Sequence, residues 1–275
     1  MARIFEAKGR PHFDPLIVHV LDREMLRGVA ADVPPLAWAL FDRFAPGPLT
    51  LVLRKTQAVP GLVTAGLETV AVRIPSHPVA RALLEAVGAP LAAPSANPFG
   101  ALSPTRAQHV AQALGERVDL ILDAGATQHG LESTIVALEP RPALLRPGAI
   151  EAEAIEEVTG PLARERDATI RAPGGLPRHY SPKTPLRIVE PASVAQGQRR
   201  RAGALALRER FADYECSKAL SESGDLREAA AGFFEALWFL DSLGLDRIDA
   251  QPLPRHGLGL AVMDRLERAA AHRNG

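Results

Sequence analysis

The stretch TVAVRIP, residues 69–75, decides the fold class of the first half of the chain. Alternate side chains of an extended strand share a face, so the valines and the isoleucine lie on one side while Thr69, Ala71 and Arg73 lie on the other. An amphipathic helix is predicted directly after it, over residues 78–87. A short buried strand that leads into such a helix indicates an α/β domain.

The same alternation between strand and helix patterns extends along the chain in both directions. Short apolar or β-branched runs bounded by Pro, Gly, Asp or Asn predict strands at 16–20, 49–53, 69–74, 90–93, 118–122, 133–138 and 203–207. Ser103 followed by Pro104 predicts the capped start of a helix that ends before Gly115. Helical spacing of apolar residues predicts two further helices, at 226–240 and 258–271.

The length and the composition predict two globular domains. The chain has 275 residues, more than most single cores hold, and its hydrophobic share of 47% excludes a disordered or fibrous class. Periodicity fails where APGGLPRHYSPKTP, residues 172–185, concentrates prolines and glycines. We therefore predict a first domain at 1–160, a linker at 161–185 and a small second domain at 186–275.

The net charge excludes a global attraction to polyanions. Lys and Arg together number 32, as do Asp and Glu, so any anion has to be bound by a local group of cations. Residues 161–210 hold eleven Lys or Arg against four Asp or Glu. On composition alone, this segment fits a solvated basic connector and an anion-binding surface equally well.

Several familiar kinds of site are absent from the sequence. One cysteine, Cys216, cannot form an intramolecular disulfide or a Cys-rich zinc site, and the histidines form no HExxH pair. There is neither a GxxxxGK[ST] phosphate loop nor a GxSxG nucleophile elbow. No apolar run approaches the roughly 18 residues of a membrane span. We predict a cytoplasmic protein with no metal held by its own side chains.

Small polar motifs follow or precede the predicted strands of the first domain. Such groups can position a charged substrate and stabilise developing charge without a protein nucleophile. Each motif alone also has an ordinary structural explanation, such as a charged helix end or a turn closed by local hydrogen bonds. Arg73 requires an anion if its face of the strand is buried. The motifs are KGRP (8–11), PSANP (94–98), GLESTIV (130–136) and LLRPG (144–148).

The motifs in their order resemble those of the threonylcarbamoyl-AMP synthase family in its two-domain form. Each motif is weak, but eight in this order are specific, and the combination of KxR with SxN is typical of the YrdC-like domain. The resemblance implies a YrdC-like twisted open sheet with flanking helices, then a linker and a small Rossmann-like α/β domain. The eight are KGRP, PLIVHV, PGPLTLVL, TVAVRIPSHPVA, APSAN with SPT, ESTIV, LLRPGAI and RHYSPKTP.

The family's reaction, which the resemblance implies for this chain, joins L-threonine, bicarbonate and ATP into threonylcarbamoyl-AMP and pyrophosphate. The chain is thus expected to be a nucleotidyltransferase whose product passes to the tRNA threonylcarbamoyl-transferase machinery. No tightly bound cofactor is implied, and Mg²⁺ is expected to arrive with ATP.

Site residues are carried over from the matching motifs. Lys8 and Arg10 match the catalytic KxR pair at the phosphates, and the linker with Tyr180 is expected to close over the nucleotide as a lid. The residues matching ATP contacts are Lys8, Arg10, Asp14, Thr69, Asn97, Ser103, Thr105, Arg146 and Tyr180. The residues matching threonine contacts are His19, Arg73, Ser95 and Ser133.

Two departures from the family pattern stand out. Asp14 replaces an asparagine found in many members, which places a negative charge near ATP. Members also begin with a further strand and a PTETVYGLG-like motif, whereas Ala2 to Lys8 reads as a short helix that starts at Met1. We therefore expect a late start codon or a truncated gene product, with weak or no activity as written.

Two alternative functions remain open. Weak tRNA or double-stranded RNA binding would use the basic segment 161–210, although no RNA-binding motif accompanies it. The related carbamoyl-adenylate chemistry of hydrogenase maturation ranks last, because those proteins carry zinc-finger cysteines that one cysteine cannot supply.

Overall fold

A computed structural model describes residues 1–164 and 179–271 of the chain. By its internal contacts the chain divides into two compact units. Unit 1 combines Met1–Ser95 with the described part of Glu132–Leu176, and unit 2 combines Ala96–Leu131 with the described part of Pro177–Gly275. Most of the predicted linker, residues 165–178, lies outside the described residues, and so does most of the predicted lid.

Unit 1 is built on a mixed seven-stranded sheet. In chain order its strands are β1 (Ile17–His19), β2 (Leu49–Arg54), β3 (Thr69–Arg73), β4 (Leu91–Ala92), β5 (Thr134–Ala137), β6 (Ala143–Arg146) and β7 (Ala163–Arg164). Their order across the sheet is β4-β1-β3-β2-β5-β6-β7. The pairs β1–β3, β2–β5 and β6–β7 are parallel, and the other neighbours are antiparallel.

Among the described residues of unit 1, six helices accompany this sheet, and local signals set the ends of several. His77 caps the helix that carries Pro at its first position, and Gly88 ends that helix in the left-handed conformation. Asp22 accepts a hydrogen bond from the Met25 amide at the start of another. The helices are α1 (Ala2–Lys8), α2 (Arg23–Val29), α3 (Pro35–Phe44), α4 (Gly61–Thr64), α5 (Pro78–Val87) and, after β6, α7 (Ala152–Thr159).

Unit 2 contains a parallel four-stranded sheet in the order β10-β9-β11-β8. Asp225 caps its longest helix by accepting from the amides of Arg227 and Glu228. The strands are β8 (Leu186–Ile188), β9 (Ala202–Ala206), β10 (Cys216–Ala219) and β11 (Arg247–Ala250). The helices are α6 (Ala107–Leu114), α8 (Leu226–Asp241) and α9 (Gly257–Ala270).

The core of unit 2 explains why residues 96–131 belong to it. Phe233 and Phe234 on α8 and Leu266 on α9 are buried in this core, and Leu102 from the earlier segment packs into the same cluster. Apolar burial therefore joins two stretches that are far apart in sequence. The predicted domains, 1–160 and 186–275, are each continuous in sequence. The compact units of the structure each combine two separate segments of the chain.

Two local predictions between residues 103 and 122 are wrong. Helix α6 begins after Arg106 rather than at Pro104, so Ser103 is not its N-cap. Residues 118–122 form no strand, and Leu120 is 76% exposed. A strand requires a neighbouring strand to accept and donate its backbone hydrogen bonds. The apolar pattern of residues 118–122 does not specify such a neighbour.

Most other predicted elements are confirmed within a few residues. The strands predicted at 16–20, 49–53, 69–74 and 133–138 correspond to β1, β2, β3 and β5, and the run at 90–93 narrows to β4. Among the described residues, no helix has the length and apolar character needed to cross a bilayer.

We predict that Gly148→Ala destabilises unit 1. A Cβ at Gly148 would lie 2.5 Å from backbone atoms of Glu132, Ser133 and Thr134, so the backbone at the start of β5 has to move. The expected loss is roughly 1–3 kcal/mol of unfolding free energy, measured by urea denaturation.

Gly28→Ala is the matched control. Gly28 lies in α2, and a Cβ there meets nothing within 4 Å. Helix propensity predicts a gain of up to about 1 kcal/mol for this variant. Equal effects of the two substitutions would contradict the proposed close approach at Gly148.

Candidate functional site

Three charged or titratable residues stand at one edge of the sheet in unit 1. His19, Arg73 and Arg146 are the last residues of β1, β3 and β6, and these strands run in the same direction. Strands β2 and β5 run the opposite way and begin at this edge. The alternation of strand directions therefore collects side chains from strand ends that are remote in sequence.

The end of α1 and the connection from it to β1 add a lysine, an arginine and an aspartate. Gly9 adopts the left-handed conformation with φ 61° and ends α1 directly after Lys8. The Lys8 Nζ donates to the Ser95 carbonyl at 2.6 Å. Arg10 Nη2 lies 2.9 Å from the Asp14 Oδ2 and donates to the Pro15 carbonyl at 2.7 Å. Lys8, Arg10 and Asp14 are buried.

Arg146 is held at the entrance of β5. Its Nη2 donates to the Ser133 carbonyl at 2.8 Å and to the Ser133 hydroxyl at 3.0 Å, and its Nε donates to the same carbonyl. The Ser133 hydroxyl also lies 2.7 Å from the hydroxyl of Thr50, which is fully buried on β2. These bonds fix the direction of the guanidinium.

Arg73 and His19 are register partners on neighbouring parallel strands. The Arg73 Nε donates to the Gly47 carbonyl at 3.0 Å, just before β2 begins. The Nδ1 atom of His19 is buried and has no hydrogen-bond partner. Burial, with the Arg73 charge as a second cause, lowers the pKa of His19 to about 4, so the ring is neutral at pH 7.

Lys8, Arg10, Arg73 and Arg146 form what we call the basic cluster, with Asp14 among them. Burial lowers the pKa of Lys8 to about 7, and the Arg10 charge adds to that effect. Burial also lowers the pKa of Arg73 to about 10, assisted by the Arg146 charge. Burial raises the pKa of Asp14 to about 6, although the neighbouring cations act in the opposite direction.

These couplings make the basic cluster a candidate site for anions. Four cations and one carboxylate interact at a sheet edge where burial weakens solvent screening. An anionic ligand would relieve the repulsion between the cations. Within residues 1–164 and 179–271, no group of three or more His, Cys, Asp or Glu side chains is placed to hold a metal ion.

Unit 2 brings Asn97 and Tyr180 into one neighbourhood. The Asn97 Nδ2 donates to the Ala101 carbonyl at 2.9 Å, which closes the turn, and Ala101 forms a bridge with Ser181. The Ser181 amide donates to the Gly100 carbonyl at 2.8 Å. Tyr180 is buried, and its ring lies beneath the Arg265 guanidinium.

Ser103 and Thr105, which are predicted to contact the nucleotide, form hydrogen bonds with other residues of unit 2. The Ser103 carbonyl accepts a hydrogen bond from the Trp238 indole at 3.0 Å. The Thr105 hydroxyl donates to the Glu235 carboxylate on α8 at 2.9 Å. Both side chains are buried.

Thr69 is not brought to the basic cluster. It is the first residue of β3, so about 13 Å of strand separate it from Arg73 at the other end. It lines a separate cavity of about 680 Å³ together with Arg54, Glu68 and Glu139. The predicted contact between Thr69 and ATP therefore has no support from this placement.

Sequence reasoning missed two groups that hold the site in place. Thr50 is the polar member of the apolar run 49–53, and a buried hydroxyl in such a strand is a usable signal because it needs a partner. The Gly47 carbonyl, which holds Arg73, left no sequence signal, since a backbone acceptor is present at every position.

Two family models match the chain consecutively. The model described as telomere recombination, of the Sua5, YciO and YrdC proteins, matches residues 1–148. The model described as the C-terminal domain of threonylcarbamoyl-AMP synthase matches residues 150–271.

Individual relatives match over nearly the whole chain. The threonylcarbamoyl-AMP synthase of Pyrococcus abyssi is 40% identical, covering 98% of this chain and 84% of the relative. That of Bacillus subtilis is 42% identical, covering 98% and 83%. A crystal structure of P. abyssi Sua5 complexed with L-threonine superposes with a TM-score of 0.91, covering 99% of this chain and 84% of that one.

We predict that Lys8→Met changes the pH dependence of stability. The folded-state pKa of Lys8, about 7, lies below its ordinary value of 10.5, so the unfolded chain binds more protons between these pH values. The unfolding free energy of the wild type therefore rises with pH across this window. The unfolding free energy of Lys8→Met minus that of the wild type should therefore fall by on the order of a few kcal/mol from pH 7 to about 10.

Denaturant titrations at several pH values measure this difference. Lys183→Met, at an exposed lysine of unit 2, is the control and should follow the wild type. Parallel pH profiles for Lys8→Met and the wild type would show that the Lys8 ammonium is not desolvated.

Proposed function

The chain belongs to the threonylcarbamoyl-AMP synthase family, and on this premise we propose that the basic cluster of unit 1 binds the phosphates of ATP and the carboxylate of L-threonine. The family match makes the chain a nucleotidyl-transferring enzyme. The observation that carries the proposal is a group of four cations, three of them buried and Arg73 half-buried, at the edge where β1, β3 and β6 end.

The proposed reaction joins two substrates directly. Bicarbonate takes up a proton and loses water to give CO₂. The threonine amine adds to this CO₂ and loses a proton, which gives a carbamate. A carbamate oxygen then attacks the α-phosphorus of ATP, the bond to the β-phosphate oxygen breaks, and pyrophosphate leaves. Such a transfer depends on alignment and on neutralising the charge that spreads over the phosphate oxygens.

We assign Lys8, Arg10 and Arg146 to the polyphosphate. Arg10 and Arg146 are held by backbone carbonyls and side-chain oxygens, so their guanidinium groups are oriented before a ligand arrives. Preorganised cations need little rearrangement when charge develops on the transferred group. The Lys8 ammonium has a pKa near 7, and a bound polyphosphate should raise that pKa and keep the charge.

We assign Arg73 and His19 to threonine. A guanidinium matches the geometry of a carboxylate, and the Gly47 carbonyl already fixes the Nε of Arg73. Neutral His19 beside it adds no positive charge and has an unpaired buried nitrogen that can accept a hydrogen bond. Ser95 and Ser133 bind Lys8 and Arg146, so we give them a positioning role in the same site.

The remaining assignments are also proposals. Asn97, Ser103, Thr105 and Tyr180 lie in unit 2, and their contacts with the nucleotide stay predictions. We propose that Mg²⁺ enters as part of the ATP substrate and that the product passes to the enzymes that modify tRNA. A cytoplasmic location fits the single cysteine and stays a prediction.

RNA binding is less well supported than this reaction. In the described part of the segment 161–210, Arg187, Arg199 and Arg201 pair with the carboxylates of Asp249, Asp213 and Asp246. These carboxylates offset part of the local charge excess that composition suggested. Fewer unpaired cations mean weaker attraction to phosphates.

We predict that pyrophosphate release from ATP requires both L-threonine and bicarbonate. Because the carbamate is the nucleophile, omission of either substrate should reduce release to the background rate. A coupled pyrophosphate assay with single omissions measures this. Release that proceeds equally without threonine would contradict the proposed reaction.

We predict that Arg73→Lys raises the KM for L-threonine by roughly 10- to 100-fold, because lysine cannot form the paired hydrogen bonds of a guanidinium. The KM for ATP should change much less. Initial rates at varied threonine concentration measure the effect.

Arg54→Lys is the matched control for this substitution. Arg54 ends β2 at the opposite edge of the same sheet and is exposed. Its replacement should leave both KM values unchanged. A similar rise in the KM for threonine in the two variants would remove Arg73 from the threonine site.

A further inference from the structure

Asp14 is fully buried beside Arg10 and contacts it in two ways. Its carboxylate lies 2.9 Å from the Arg10 Nη2, and its backbone carbonyl accepts from the Arg10 Nε at 3.1 Å. The Asp14 amide donates to the Pro11 carbonyl, and this turn returns the chain onto the arginine. Asp14 therefore acts on the guanidinium through both its backbone and its side chain.

The charged groups that act on Asp14 come from three parts of unit 1. Lys8 belongs to α1, Arg10 to the following turn and Arg146 to the end of β6, and all three favour the ionised carboxylate. Burial opposes ionisation and outweighs these attractions. The carboxylate is thus the internal counter-ion of a buried group of cations, and its charge is held only weakly.

We propose that Asp14 is a positioning residue that serves as a placeholder anion: it holds Arg10 and offsets the basic cluster until the ATP polyphosphate takes over as counter-ion. The inference rests on the proposed function of the cluster. It differs from the expected direct contact between Asp14 and ATP, because the carboxylate faces cations that the phosphates would themselves bind.

A proton transfer follows from this exchange. Bound polyphosphate places negative charge near Asp14 and disfavours its ionised form, so one proton moves from solvent to an Asp14 Oδ atom as ATP binds. In the free protein the pKa of Asp14 is about 6, and ATP should raise it further. Affinity for ATP should therefore weaken as pH rises from about 6 to the pKa of the bound state.

Calorimetric titration with Mg·ATP tests the inference. Runs at pH 7 in two buffers of different ionisation enthalpy give the number of protons taken up. Asp14→Asn keeps the size of the side chain and removes the titrating group. Lys8 takes up protons in both proteins, so the difference between them reports on Asp14: the wild type should take up as much as about one proton more per ATP than this variant.

The matched control is Asp42→Asn, which changes the net charge equally. Asp42 pairs with Arg23 on the surface of unit 1, outside the cluster. This variant should take up as many protons as the wild type. Equal uptake by the wild type and Asp14→Asn would overturn the inference.

Kinetics supply a second readout of positioning. Without the carboxylate, Arg10 loses part of its orientation while repulsion of the phosphates disappears. Asp14→Asn should therefore lower kcat by roughly tenfold while the KM for ATP stays equal or falls. A raised KM with unchanged kcat would show that Asp14 contributes to ground-state binding instead.

A measurement on the wild type remains decisive even if Asp14→Asn does not fold. Infrared difference spectra should show a protonated carboxylic acid appearing when ATP binds, and no lysine or phosphate produces that absorption. Its absence overturns the placeholder role. If ATP does not bind the wild type, the proposed function fails; if ATP binds without this signal, only the role of Asp14 fails.

Discussion

Repulsion between buried cations is the constraint on which the rest of unit 1 depends. Burial desolvates Lys8 and Arg73, and the charges of Arg10 and Arg146 further disfavour the protonated forms of these two groups. Such an arrangement costs folding free energy unless oxygens surround it. The carbonyls of Gly47, Pro15, Ser95 and Ser133 supply part of the compensation, and Asp14 supplies the counter-charge.

The mixed sheet makes this arrangement geometrically available. Parallel pairs alternate with antiparallel steps, so β1, β3 and β6 all end where β2 and β5 begin. Guanidinium groups at strand ends therefore meet hydroxyls and carbonyls at strand entrances. The Ser133 hydroxyl, between Thr50 and Arg146, shows how one short polar side chain links a starting strand to an ending one.

Preorganisation also explains how a nucleotidyl transfer can proceed without a protein nucleophile. Cations that are already oriented stabilise charge as it develops. Most of the unfavourable free energy of bringing them together arises during folding rather than during the reaction. The same burial shifts the pKa values of Lys8 and Asp14 to about 7 and about 6, close to neutral pH. Because these pKa values are near 7, a bound anion can change the protonation of Lys8 and Asp14. Binding of the anion is therefore linked to uptake of protons.

The sequence alone determined the strand and helix signals that depend on neighbours in the chain. The alternation at 69–75 and the helix at 78–87 are local, because periodicity and capping involve residues only a few positions apart. The motif order also pointed to Lys8, Arg10, Arg73 and Arg146.

Only the tertiary structure decided which of these side chains meet, that Thr69 lies at the far end of its strand, and that residues 118–122 lack a strand partner. The same holds for the interleaved units, since Leu102 joins a core formed much later in the chain. Strand direction, register and burial are set by pairing between distant segments, and local sequence does not specify those partners.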